Sequence, residues 1–236
     1  MQIKSLLAQP FANYLSSAIK KESKDAVTHQ EQIRTMLLQK AKHTYFGKQH
    51  KFANIESYTD FKQAIPIRDY EQCKPFIEKI KAGESDILWE GKPIYFAKTS
   101  GTTSGVKYIP ITKQSMPSHI LAARNALLCY IAETRNTSFV NGKMIFLSGS
   151  PELDNIHGIL SGRLSGIVNH HVPTYLTKNR LPSYETNCID DWETKLDAIV
   201  QETLRADMRL ISGIPPWVQM YFDRLNQRSG LPIGKL

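Results

Sequence analysis

Cysteine is scarce in this chain of 236 residues: Cys73, Cys129 and Cys188 stand far apart, with no paired spacing among them. An odd and sparse set of this kind argues against a disulfide framework and against a zinc site, and it suits reduced thiols in a cytoplasmic protein. Long apolar runs are also missing. Nothing approaches the roughly twenty residues of a membrane-spanning helix, and Met1 to Pro10 lacks a signal-peptide core, so no membrane role is expected. No Gly-x-Gly-x-x-Gly fingerprint and no Gly-x-Ser-x-Gly elbow occur, which argues against a dinucleotide-binding domain and an α/β-hydrolase. His157, His170 and His171 have no further ligands at metal spacing, and no metal-ligating residue is assigned. The net charge of +8 would permit an acidic partner, yet acidic residues interleave with the basic ones. No zinc finger or aromatic RNA-binding signature appears, and nucleic acid is not an expected partner.

What is present is ordinary globular composition, 41% apolar and 22% charged, in a chain long enough for one domain or two. One stretch stands out, Lys98-Thr-Ser-Gly-Thr-Thr-Ser-Gly-Val-Lys107, with five hydroxyl residues, two glycines and a closing lysine. Ile94-Tyr-Phe-Ala97 before it and Tyr108-Ile-Pro-Ile111 after it are strand-like in β-branched and aromatic content. Glycines let backbone N–H groups turn towards an anion, hydroxyls add rotatable donors, and lysine supplies a point charge for phosphate. The composition suits a polyphosphate, although a Gly/Ser/Thr cluster between apolar runs is also what an ordinary loop looks like. It is not a Walker loop: counting from Gly101, Gly105 comes one residue early, Val106 precedes the lysine, and no helix start follows.

Thr99-Ser-Gly-Thr-Thr-Ser-Gly-Val-Lys107 resembles the phosphate loop of adenylate-forming enzymes, which typically read Thr-Ser-Gly-Thr-Thr-Gly-x-Pro-Lys between two strands. Ser104 in place of Gly, Gly105 at the variable position and Val106 in place of Pro point to one branch, the acyl-acid–amido synthetases of the auxin-responsive promoter (Gretchen Hagen) family. Lys107-Tyr-Ile-Pro110, Phe46-Gly47, Leu88-Trp-Glu-Gly91 and Ile211-Ser-Gly-Ile-Pro-Pro-Trp217 are similar to its bacterial members.

The resemblance implies the N-terminal part of the large α/β domain of such an enzyme. A mainly helical opening over 1–92 would lead to an α/β part over 93–236, a mixed sheet with packed helices, carrying the loop. It also implies ATP and Mg2+ as cofactors, with small carboxylic-acid and amino-acid substrates. The acid would attack the α-phosphate of ATP, and an amine would then take the acyl group. Thr99 would belong to the nucleotide site, Ser100, Thr102, Thr103 and Ser104 would donate hydrogen bonds to the triphosphate, Gly101 and Gly105 would admit it to the backbone, and Lys107 would neutralise charge. No catalytic residue is assigned. The family's Tyr-x-x-Ser-Glu-like segment, its ribose-binding Asp motif and its mobile C-terminal domain have no match, so the chain is expected to lack a C-terminal part and to be inactive by itself. Acyl-CoA ligase-like chemistry and a non-catalytic nucleotide-binding module remain as alternatives.

Along the chain, residues 3–24 predict a helix with Leu6, Leu7, Phe11, Tyr14, Leu15, Ala18 and Ile19 at helical spacing. A second helix is expected to open on a capping box, Thr28 to Glu31, to bury Ile33, Met36, Leu37, Ala41 and Tyr45, and to end at Gly47. Short helices follow, with Pro66 and Pro75 near their starts. Thr112 caps a helix of roughly twenty residues, its inner face Met116, Ile120, Ala123, Leu127, Tyr130 and Ile131. Met144 to Leu147 and Arg209 to Ser212 read as strands, with helices capped by Asp190 and opened by Gly213 to Pro216. Ser148 to Pro151 and Gly158 to Gly166 form a small-residue region suited to a pocket wall, where Arg163 is either a carboxylate contact or a structural residue.

Overall fold

The computed structural model describes residues 3–99, 105–172 and 177–230. Among these, helices alone fill the chain as far as Lys81, and strands enter at Tyr95. Two compact units interleave along the sequence. One comprises Ser17–His119 and Leu153–Gly162, the other Met1–Ser16, Ile120–Glu152 and Arg163–Leu236.

The first unit takes the end of helix α1 (Ile3–Ser23) and then α2 (Ala26–Ala41), α3 (Tyr45–Gln49), α4 (Tyr58–Ala64) and α5 (Tyr70–Lys81). The expected capping box at Thr28 does not form: α2 starts at Ala26, and the Glu31 carboxylate is occupied by Arg34 at 2.6 Å. The buried stripe of α2 is also rotated. Leu38 and Ala41 are buried, whereas Ile33, Met36, Leu37 and Tyr45 are exposed. Gly47 does not end α2 but lies inside α3, where an added Cβ would come within 2.0 Å of the Ala41 carbonyl oxygen. It is there for close approach, not for a left-handed cap.

Real capping boxes open α4, between Ser57 and Asp60, and α5, between Asp69 and Gln72. The latter places Pro75 inside α5 instead of near its start. The helix tolerates the lost N–H because Phe76, Ile77 and Ile80 bury its next turn. The strands of this unit form a sheet in the order β2 (Lys107–Ile111), β1 (Tyr95–Thr99), β5 (Ile159–Arg163), β4 (Asp154–Ile156). β1 and β2 are antiparallel, with Tyr95 opposite Ile111 and Thr99 opposite Lys107. Phe96, Ile159, Ile87 and the apolar face of α5 make the core beneath them.

In the second unit a parallel sheet runs β6 (Arg180–Leu181), β3 (Lys143–Phe146), β7 (Met208–Ser212). Short helices α7 (Leu164–Asn169) and α8 (Tyr184–Asn187) accompany it. Helices α9 (Trp192–Thr203) and α10 (Pro215–Ser229) bury Leu196, Ile199, Val200, Tyr221 and Leu225 with Ile145 and Leu147, as their spacing predicts. The cap of α9 is Asp191, one residue beyond the expected Asp190, because its carboxylate reaches the Thr194 N–H at 2.9 Å. Helix α6 (Met116–Thr134) is capped as expected, Thr112 and Ser115 exchanging hydrogen bonds at 3.0 Å. Of its expected inner face Met116 and Ile131 are buried, Leu128 joins them, and Ala123 and Tyr130 are exposed. On α1 the buried positions are Ala12 and Ser16, one turn apart, and Leu6, Leu7, Phe11 and Tyr14 face outward. A face of small residues packs closer than one of large ones, so apolar size alone misplaced the stripe.

Candidate functional site

The flanks of the hydroxyl-rich stretch are strands, as their composition predicts. Ser100, Gly101, Thr102, Thr103 and Ser104 lie outside the described residues; Thr99, Gly105 and Lys107 lie within them. Thr99 and Lys107 form the last rung of the β1–β2 ladder, so the segment between them leaves and rejoins the sheet at one point. Gly105 has φ +76°, and nothing lies within 4 Å of a Cβ built on it. An L side chain is strained in that conformation whatever the space, which accounts for glycine at this position.

Lys107 is half-buried and points at an aromatic ring, its Nζ 5.5 Å from the centroid of Tyr70. The hydroxyl of Tyr70 accepts the Tyr108 backbone N–H at 2.8 Å. The Tyr108 ring meets Phe96 edge-on at 5.8 Å, with the Lys81 ammonium 4.7 Å from its centroid. On β1, Lys98 is paired with Asp154. The described end of the segment therefore holds a left-handed glycine and an ammonium resting on a π face.

The small-residue region splits between the two units. From Gly158 onward it is not a wall of loops: Ile159 and Ser161 are fully buried in β5. The turn before β5 is formed by His157 and Gly158, at φ +47° and +85°, a pairing that closes two-residue hairpins. His157 serves that turn structurally, its Nδ1 lying 2.6 Å from the Lys81 carbonyl oxygen.

In the second unit, Ser148 to Pro151 follow β3 and are fixed along their length. Gly149 N–H donates to Ser165 Oγ at 3.2 Å, Asn169 Nδ2 to Ser148 Oγ at 3.3 Å, and His170 Nε2 lies 2.7 Å from the Pro151 carbonyl oxygen. Arg180, whose guanidinium burial makes it a weaker base than usual, donates to Asn169 Oδ1 at 2.8 Å. Lys195 is 4% exposed and donates to Asn187 O at 2.6 Å and Ser148 O at 3.3 Å. Burial lowers its pKa below the ordinary lysine value; Cys188 opposes that shift, Arg163 adds to it and Asp190 opposes it. The stem of Arg163 lies against Gly149, where an added Cβ would come within 2.5 Å of Arg163 Cδ.

Sequence reasoning passed over Lys195, Asn169 and Arg180. Lys195 carried a signal, since it falls three residues after Trp192 and four before Ile199, on the apolar face of α9. Asn169 and Arg180 carried none, because their partners are set by tertiary structure.

Among the described residues, no group of three His, Cys, Asp or Glu side chains is placed to hold a metal ion. No described helix is long and apolar enough to cross a membrane.

Residues 15–204 match the sequence pattern of the GH3 family N-terminal domain. The jasmonoyl–L-amino acid synthetase JAR4 of Nicotiana attenuata is 25% identical over 185 residues, 77% of this chain and 31% of its own. The indole-3-acetic acid-amido synthetase GH3.17 of Arabidopsis thaliana is 31% identical over 99 residues, 39% of this chain and 16% of its own. The chain spans less than a third of the length of these curated relatives. A solved GH3.15 acyl acid amido synthetase superposes with a TM-score of 0.72 at 15% identity, over 92% of this chain and 41% of that one, a likeness of fold.

Proposed function

Because the chain belongs to the GH3 family through its N-terminal domain, we propose that it is the nucleotide-holding part of an acid–amino acid ligase. The complete protein would activate a small carboxylic acid with ATP, releasing pyrophosphate, and pass the acyl group to an amino acid. One curated relative is named a jasmonoyl–L-amino acid synthetase and another an indole-3-acetic acid-amido synthetase, which supports this substrate class.

The observation that carries the reading is the segment 99–107, rich in hydroxyls and glycine and closed by the Thr99–Lys107 rung of an antiparallel ladder. A carboxylate is already a nucleophile, so the first step needs positioning and charge neutralisation more than a base. In this reading Thr99, Ser100, Thr102, Thr103 and Ser104 donate hydrogen bonds to the phosphates, and Gly101 and Gly105 let the backbone approach them. Lys107 leaves the Tyr70 ring for the negative charge. Mg2+ ordinarily bridges such phosphates and offsets their charge. Among the described residues, no group of His, Cys, Asp or Glu side chains builds a cage for that ion.

The test is calorimetric titration of the 236-residue chain with ATP, together with acid-dependent ATP–pyrophosphate exchange. Saturable ATP binding, weakened but still measurable in Lys107→Met, with no exchange by this stretch alone, is the expected pair of results. Absence of binding would overturn the nucleotide reading, and exchange would overturn the proposal that this stretch is inactive by itself. For the complete enzyme, amino acids and coenzyme A offered as alternative acceptors separate a ligase of amines from an acyl-CoA ligase.

A further inference from the structure

We infer that Tyr70 is a positioning residue for Lys107, a role that rests on the nucleotide reading above. Among the described strands β2 lies at the edge of its sheet, so the N–H groups on its outer side meet no described strand. Tyr108 stands opposite Lys98 in the ladder, and its N–H turns to the Tyr70 hydroxyl at 2.8 Å. The same tyrosine lays its ring 5.5 Å from the Lys107 ammonium. One side chain thus fixes the backbone of the residue after the lysine and limits where the lysine's charge can go.

Tyr70 is well placed for both tasks. It is the first residue of α5, and the Asp69–Gln72 capping box holds that turn, with hydrogen bonds of 3.0 and 2.9 Å. A residue anchored on a capped helix positions its target better than one on a loop. The chemistry has the right strength as well. A cation over a half-buried tyrosine is attracted enough to bias a long flexible side chain, yet far less than a polyphosphate would attract it. Lys107 is therefore pre-oriented without being trapped. Because Tyr70 also packs on the core under the sheet, a purely structural role is the reading to be defeated.

Two measurements on the 236-residue chain decide it. In spectra of the protein with reductively 13C-methylated lysines, the Lys107 signal, assigned with Lys107→Arg, should be displaced by the ring current of Tyr70. The displacement should persist in Tyr70→Phe and vanish in Tyr70→Leu, while the Lys81 signal, over Tyr108, stays displaced in both. In ATP titrations, Tyr70→Phe should weaken binding about fivefold and Tyr70→Leu roughly tenfold. Neither should weaken it further in a Lys107→Met background.

An undisplaced Lys107 signal overturns the inference without reference to ATP. So does a loss of affinity that is equally large in the Lys107→Met background, because that loss is structural. Tighter or unchanged ATP binding in Tyr70→Leu also overturns it, while leaving the nucleotide reading intact. An unsubstituted chain that binds no ATP overturns the nucleotide reading, and the role of Tyr70 with it.

Discussion

Two segments that leave strands in this chain are secured in different ways. The segment after β1 returns to the sheet at the Thr99–Lys107 rung, and its described end is steadied from outside by Tyr70. The segment after β3, Ser148 to Pro151, is gripped along its length by Ser165, Asn169, His170 and Lys195, and by the close approach of Gly166. The second pattern leaves the backbone nowhere to go, as befits a structural element. The described ends of the first show a point of attachment with a lysine's charge beside it, an arrangement that suits the proposed meeting with a ligand. The difference predicts that substitutions after β3 act on stability, and substitutions after β1 act on binding.

The largest effect should come from Gly166→Ala. An added Cβ would lie 2.2 Å from the Ser150 carbonyl oxygen, and both partners are backbone that cannot swing aside. Urea unfolding should show a loss of about 3 kcal/mol, with ATP affinity unchanged in the fraction that remains folded. Equal stability to the original chain would mean that the segment after β3 is not tightly held, and the contrast would fail.

Lys195→Met comes next. It removes a buried cation but strands the carbonyls of Ser148 and Asn187, each of which then lacks a donor. A net loss of about 2 kcal/mol at neutral pH is expected. The pH dependence gives a sharper reading. Burial sets the folded-state pKa of Lys195 below the unfolded value, so between the two the unfolded chain binds more protons. Its contribution to stability therefore rises with pH through that window and levels off above the ordinary lysine value of 10.5. Tyr221 works the other way. Burial raises its pKa, so its contribution falls as pH climbs past 10.0. The difference in unfolding free energy between the original chain and Lys195→Met isolates the first effect. A flat difference below 10.5 would show that burial does not lower the pKa of Lys195.

The contrast also explains what could be read from the residues. β1, β2, β3 and β7 and the helices α9 and α10 were legible because short apolar runs and 3.6-residue periodicity are local signals, and so was the cap at Thr112. The orientation of α1 and α2 was not, because Ala12, Leu38 and Ala41 are chosen by what they pack against, not by their own hydrophobicity. Gly47 looked like a helix stop because a glycine's need for close approach is invisible until its neighbour is known. The hairpin of β4 and β5 was hidden by small residues whose burial depends on the sheet around them. At the candidate site, hydroxyls, glycines and lysine were evident from composition, whereas Tyr70 is 37 residues away from Lys107 in sequence and no spacing rule connects them.

The smallest effect on stability separates the two kinds of segment most cleanly. Gly105 and Gly158 have left-handed φ values of +76° and +85°, and neither has an atom within 4 Å of an added Cβ. Alanine at either position meets the same backbone strain and no clash, so each variant should lose about 1 kcal/mol in urea unfolding. Gly158 closes the turn before β5, whereas Gly105 precedes Lys107 in the proposed phosphate segment. Gly105→Ala should therefore weaken ATP binding severalfold, by turning the local N–H groups away from an anion, and Gly158→Ala should leave it unchanged. If the two variants lose stability alike and bind ATP alike, the glycine at 105 serves the chain's geometry alone, and the segment after β1 is a turn like any other.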